Sequence, residues 1–524
     1  MAWGIFAAVL LAIVTLSYGI TKYYMHPRES YPLAVLAVVA CLSISMMCAM
    51  VIPVDIFVSS KGEISAEGLP ISVSQAFVEL TYTRLFGLLI FSTYFMVPYA
   101  YFYGEERGAD IDDDKEPCSR SCGALRYTSY YIVFISLLLV MGLVFRPGQS
   151  RTVEKGQEVE YLRTLLDMDH AGTAAITFAI ACLTMAGGLG WVFYAAYGLA
   201  ALPAELLRGQ PSAAQQRQEV ETNLSDIRLR SRSIQAKYSQ DGIIDPSKMK
   251  QADRQKLSRL QQEQKALTQH NYKLQEQEAR GRDCISSIMV LLVPFRFTIG
   301  AGMLVLSLLI GGSLLVTCAD KLMNSTCGWQ CGYTVSRRSM ANPMDYVLTE
   351  ASKMFPLDFV VLAAFVLHIF LATLYGVVTL GIRFACISIY SLRAFATLPQ
   401  AMLATVVVLA HILLAMCMAL LTAAPNYTSF GPQVRLGETG LEEHCSLEHP
   451  SDTCRVSVIA IFFDRIALGL PFFSVGYFVV NWVFVCWFIC VLLHSFFSTR
   501  KFKPSMEFVD DLDSEEQMGL LTFA

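Results

Sequence analysis

The chain has 524 residues, 54% of them hydrophobic and 16% charged, with a net charge of −4. Soluble globular proteins carry about 25% charged residues, so this composition excludes an ordinary soluble protein. It carries no nucleic-acid-binding motif, and its bases are interleaved with acids.

Nine apolar runs follow in chain order, at 3–23, 33–54, 84–102, 127–145, 172–202, 297–317, 357–381, 400–423 and 468–496. A hydrocarbon core of about 30 Å needs about 20 helical residues, so the runs are of spanning length. The fifth and ninth are long enough to tilt or project. The first is read as an uncleaved span, because no basic residue precedes it and no small-x-small cleavage site follows. Residues 284–296, apolar apart from Arg296, either lie in the interface or extend the sixth span. The expected fold is an all-α integral membrane protein with about nine transmembrane helices.

The stretch 203–283 interrupts the series and holds fifteen of the forty Lys and Arg residues. It divides the chain into a five-helix part (1–202), a polar block (203–283), a four-helix part (284–497) and an acidic tail (498–524). Lys and Arg favour the cytosolic side of short loops. With the N-terminus lumenal, 26 of the 40 fall on the cytosolic side. The glycosylation acceptors Asn324-Ser-Thr326 and Asn426-Tyr-Thr428 then lie in lumenal loops, 318–356 and 424–467. So do the cysteine pairs Cys327/Cys331 and Cys445/Cys454, as glycans and disulfides require. The C-terminus is expected in the cytosol.

In chain order, the second span ends in Val51-Ile-Pro-Val-Asp-Ile-Phe57, and the seventh opens with Met354-Phe-Pro-Leu-Asp-Phe-Val360. Both place an acid, Asp55 and Asp358, at the lumenal edge. Ionisable groups at membrane depth are costly and often functional, so the two acids are candidates for a ligand-binding or proton site. The plainer reading is that each caps a helix or faces water. Pro98-Tyr-Ala-Tyr-Phe-Tyr103 forms an aromatic belt at the cytosolic interface. Glycines 187, 188, 190 and 198 allow close helix packing in the fifth span, and Pro203 is expected to end it.

In the polar block, Val220, Leu224, Ile227, Ile234 and Tyr238 recur at helical spacings, as do Leu260, Leu267 and Leu274. Asp241-Gly and Asp245-Pro steps separate them. The pattern predicts a cytosolic antiparallel coiled-coil hairpin. The histidines at 368, 411 and 494 are read as interhelical hydrogen-bonding groups rather than metal ligands. The tail ends in Asp513-Ser-Glu-Glu-Gln-Met-Gly-Leu-Leu521. Leu520 and Leu521, four residues after Glu516, match an acidic-dileucine sorting signal of the kind a clathrin adaptor reads. No phosphate-binding glycine loop, His-Glu-x-x-His or Gly-x-Ser-x-Gly is present, so neither an enzyme nor a bound cofactor or metal is expected.

Several stretches, in matching order, carry a resemblance. They are Ile52-Pro-Val-Asp-Ile-Phe57, the Tyr-Phe-Tyr and paired glutamates of 98–106, the Leu-Pro and Leu-Leu-Arg-Gly of 195–209, Phe355-Pro-Leu-Asp358, and Cys445 to Cys454. Together they resemble the limb-region-1-like family of nine-span membrane proteins. The resemblance implies a lysosomal membrane protein that supports export of cobalamin to the cytosol, with cobalamin as cargo and a lysosomal ABC transporter as partner. It also implies a link to clathrin-dependent endocytosis, and an endocytic receptor without transport activity is the alternative. A homo-oligomer in the lipid bilayer is a further expectation. The tail and parts of the lumenal loops diverge from the family.

Overall fold

The computed structural model describes residues 2–27, 29–61, 75–109, 117–144, 171–208, 213–240, 243–244, 250–280, 295–325, 328, 340–354, 357–384, 387–390, 392, 395, 397–436, 442–445, 454–469 and 471–497. A helix stands at each position expected to span. These are α1 (Ala2–Tyr24), α2 (Pro32–Lys61), α3 (Gln75–Phe91) continued through a π turn (Ser92–Met96) into α4 (Val97–Ala109), and α5 (Pro117–Val144). The fifth column is α6 (Ala171–Gly190), a second π turn (Trp191–Ala195) and α7 (Ala196–Arg208). Among the described residues, seven helices are long and apolar enough to cross a membrane.

The polar block contributes α8 (Ala213–Ala236), the two-residue strands β1 (Ser239–Gln240) and β2 (Ile243–Ile244), and α9 (Gln251–Arg280). The later columns are α10 (Arg296–Met323), α12 (Leu357–Leu380), α13 (Pro399–Ala423) and α16 (Pro471–Phe497), with a short α11 (Pro343–Ser352) before α12. Strands β3 (Ile382–Phe384) and β4 (Ile387–Tyr390) follow α12. After α13 come α14 (Pro425–Phe430), the strand pair β5 (Val434–Leu436) and β6 (Glu442–His444), and α15 (Val458–Gly469).

The chain forms two compact units. In the larger, α13 is the central post, packed against α2, α4 and α6. Its Ala, Leu, Val and Met residues lie on all sides, the pattern of a helix buried all round. Of its most apolar window 72% is buried, against 33% for α10, which leaves α10 at the periphery. Where columns cross, glycines let backbones touch. A Cβ at Gly187 would meet the His411 carbonyl, one at Gly198 the Ala372 carbonyl, and one at Gly376 the Tyr194 carbonyl.

Two boundaries differ from expectation. Helix α2 does not stop near Val54 but runs through Pro53 to Lys61, so Asp55 lies inside a helix. Helix α7 runs through Pro203 to Arg208. Within a packed membrane bundle, neighbouring helices and local adjustments compensate for the hydrogen bond a proline removes. The link between α12 and α13 starts as the β3–β4 ladder. Its end pairs with the turn after α1: Phe395 N–H donates to Tyr23 O at 2.8 Å and His26 N–H to Thr397 O at 2.9 Å.

The smaller unit holds the hairpin. Helices α8 and α9 pack together, and β1 and β2 close the turn with Ser239 opposite Ile244. Val220, Leu224, Ile227 and Ile234 bury against Leu260 and Leu267. Near the tip, Tyr238 Oη donates to Asp253 Oδ2 at 2.7 Å. At the root, Arg296 Nη2 donates to Glu205 O at 3.2 Å.

Candidate functional site

The seventh helical column opens beside the far end of the second. Phe57 and Phe359 meet edge to face, centroids 5.1 Å apart. The two sequence elements singled out above are therefore neighbours in space. Their acids are buried: Asp55 is 0% exposed and Asp358 2%.

Asp55 is occupied by another helix. Its Oδ1 accepts Val458 N–H at 3.1 Å and its Oδ2 accepts Ile459 N–H at 2.8 Å. Ser59 Oγ adds a third bond at 3.3 Å. Ser457, the residue before α15, accepts Ala460 N–H through its hydroxyl at 3.3 Å. The first three N–H groups of α15 thus have acceptors. A carboxylate at a helix N-terminus is favoured by its free N–H groups and by the macrodipole. That explains how Asp55 tolerates burial with no ion pair among the described residues.

A third acid repeats the arrangement. Asp345, 7% exposed, accepts Asn426 N–H at 3.2 Å and Tyr427 N–H at 2.9 Å. These are the second and third positions of α14, whose first is Pro425 and has no N–H to satisfy. Asp345 is itself fixed by the start of α11. Asn342 caps that helix by accepting Met344 N–H at 2.9 Å, while its Nδ2 donates to Thr317 Oγ1 at 2.9 Å.

Asp358 is held differently. Tyr427 Oη donates to Asp358 Oδ2 at 2.8 Å. The other oxygen, Oδ1, is buried with no hydrogen-bond partner among the described residues. Burial, and then the Asp358 carboxylate, push the Tyr427 phenol above its ordinary value. Tyr427 therefore stays a neutral donor. Gly431 ends α14 at φ +60°, and a Cβ there would press on Ile56 and Ser60 of α2. Helix α14 is thus clamped between α2, α11 and α12.

The same end of the bundle carries the remaining marks. Cys445 and Cys454 form a disulfide, Cα atoms 6.0 Å apart, both buried with Phe430 and Val456. Asn426 lies half-buried in the first turn of α14. Asn324 lies just past α10, its Nδ2 donating to Asp320 Oδ1 at 2.7 Å. Cys327, Cys331, Glu516, Leu520 and Leu521 lie outside the described residues.

Within the spans, His368 Nε2 lies 2.8 Å from Ser307 Oγ. His411 Nε2 lies 2.9 Å from Tyr94 Oη, and its Nδ1 2.7 Å from Val407 O. Both histidines hold helices together, and no group of three potential metal ligands occurs among the described residues. Asp345, Tyr427 and Ser457 escaped the sequence reading. Asn342-Pro343-x-Asp345 is a helix-start signature that would have flagged the first.

The model of the LMBR1-like membrane proteins matches residues 2–299, more than half of the chain. The chain belongs to that family. Full-length relatives extend the match beyond residue 299. A protein named probable lysosomal cobalamin transporter from Nematostella vectensis is 30% identical, over 98% of this chain and 97% of the relative. One of the same name from Dictyostelium discoideum is 31% identical, over 98% and 99%. The lysosomal cobalamin transport escort protein LMBD1 of Bos taurus is 28% identical, over 98% and 95%. No solved structure matches. In this LMBR1-like chain Asp55 and Asp358 make contacts that hold the bundle's end.

Proposed function

We propose that this protein resides in the lysosomal membrane and supports the passage of cobalamin from lysosome to cytosol as the escort of an ABC transporter. The single observation that carries the reading is end-to-end similarity to relatives named for lysosomal cobalamin transport. The orientation follows the charge rule, with the acid-capped end lumenal and both the hairpin and the tail cytosolic. The tail engages a clathrin adaptor through Glu516, Leu520 and Leu521.

The interior favours escort over conduit. Asp55 spends both oxygens on α15, and Asp358 is buried against Tyr427. A crevice between α3, α6 and α13, lined by Thr93, Tyr94, Leu183 and His411, has a volume of about 10 Å³. Small-molecule sites run to roughly 300–1,000 Å³, and a corrinoid needs more than this crevice holds. Among the described residues, Asp358 Oδ1 is a carboxylate atom at this end that a ligand or proton would meet unpaired.

Reconstitution tests this division of labour. Liposomes loaded with labelled cobalamin and carrying the purified chain alone should retain it as protein-free liposomes do. Release by the chain alone would make it the transporter. In cells lacking the chain, a reduced lysosomal fraction of the ABC partner is expected; an unchanged fraction would remove the escort role.

A further inference from the structure

The hairpin is charged unevenly. Between Arg228 and Arg259, the half that includes the turn, nine basic residues face three acids. The other half, residues 213–227 and 260–280, holds four bases and six acids. Helices that are merely solvated interleave the two signs, as the root half does. Of the tip acids, Asp253 is already engaged by the Tyr238 hydroxyl; Asp226 of the root half pairs with Arg230 at 2.7 Å. Arg228, Arg232, Lys237, Arg254, Lys256 and Arg259 are exposed or half-exposed and make no ion pair among the described residues.

Apolar residues accompany this charge. Leu229, between two arginines, is 64% exposed and lies off the buried seam of Ile227 and Ile234. Ile243 and Ile244 form β2 in the turn itself. A solvated spacer needs neither. Basic residues around an exposed leucine are the chemistry of an anionic lipid surface, which attracts Lys and Arg by about 1 kcal/mol each and accepts apolar side chains below the headgroups. An acidic peptide would account for the charge but not for Leu229.

We propose that the tip of the α8–α9 hairpin binds an anionic phospholipid surface. The proposal rests on the cytosolic placement of the hairpin, where acidic lipids concentrate. The surface is either the protein's own membrane or an apposed one, and the chemistry of the contact is the same.

The full chain in nanodiscs of neutral phosphatidylcholine is mixed with vesicles of phosphatidylcholine alone or with about 30% phosphatidylserine, and flotation reads binding. In a second arm the nanodisc itself contains phosphatidylserine, and trypsin cleavage at the tip is timed against the neutral disc. Flotation with the acidic vesicles locates the contact on an apposed membrane; slower tip cleavage in the acidic disc locates it on the protein's own. The quadruple variant Arg228→Gln, Arg232→Gln, Arg254→Gln, Lys256→Gln should lose about tenfold or more in whichever arm responds. Leu229→Ser should lose a smaller part. Removing the same number of charges at the root, with Arg217, Lys265, Lys273 and Arg280 changed to Gln, should change binding little. The four tip residues lie outside the buried seam, and circular dichroism checks that helix content is kept. Response in neither arm, an equal loss from the root variant, or binding to polyglutamate without binding to acidic lipid would each overturn the proposal.

Discussion

Asp55 and Ile459 lie 404 residues apart in sequence, yet the Asp55 carboxylate accepts the Ile459 N–H at 2.8 Å. The bond joins the far end of the second column to the helix that leads into the last. It also ties down the disulfide loop, because α15 starts four residues after Cys454 closes it.

Replacing this cap should therefore be costly in a graded way. Asp55→Ala leaves two buried N–H groups without an acceptor and should destabilise by about 2–3 kcal/mol; Asp55→Asn keeps one acceptor and should cost about 1 kcal/mol. Thermal unfolding in detergent followed by size-exclusion fluorescence reads both. Equal stability of all three proteins would show that the bond contributes nothing.

Tyr427 and Asp358 should behave as one unit. Tyr427→Phe removes the only hydrogen bond to the Asp358 carboxylate among the described residues, leaving a buried charge with two orphan oxygens. The expected cost is about 1–3 kcal/mol. Asp358→Asn should relieve part of it, with a coupling of about 0.5–3 kcal/mol in the double-mutant cycle. Additive effects would separate the two residues.

Much of this was legible in the sequence, and the reasons for the rest are local. The apolar runs marked the helices, seven of them among the described residues long and apolar enough to span, because spanning length is set by the bilayer. Gly187 and Gly198 announced close packing, and a Cβ at either would strike a neighbouring backbone. The heptad leucines marked the hairpin seam at Leu260 and Leu267. Asp55 and Asp358 stood out as acids at span ends, and capping was the plainer expectation. Asp55 does cap a helix, but one 403 residues further on, and Asp358 takes a tyrosine from α14. Sequence spacing carries no trace of such partners. Pro53 and Pro203 misled because a proline's cost depends on the packing around it.

The glycine contacts give a third prediction. Gly198→Ala and Gly376→Ala drive a methyl group into the Ala372 and Tyr194 carbonyls and should sharply lower the yield of monodisperse protein. Gly302→Ala, with nothing within 4 Å of its Cβ, should match wild type. Similar yields from all three would refute the tight crossing of α7 with α12.

The sidedness proposal is checked by glycan mobility. Endoglycosidase should shift the wild-type protein but not an Asn324→Gln/Asn426→Gln double variant. A shift that persists in the double variant would move another segment, and with it the bundle's orientation, to the lumen.

The sorting proposal is checked by location. Leu520→Ala with Leu521→Ala should move the protein to the cell surface; unchanged lysosomal residence would remove the adaptor contact.

The central claim is tested most directly by following labelled cobalamin in cells that lack this protein. The account predicts label trapped in lysosomes and depleted from the cytosol, with export restored by wild type. It also predicts restoration by an Asp55→Asn/Asp358→Asn variant that still folds, since an escort needs these acids only as structural contacts. Normal cytosolic label in the absence of the protein would contradict the account, and the search would turn to what its lumenal loops bind.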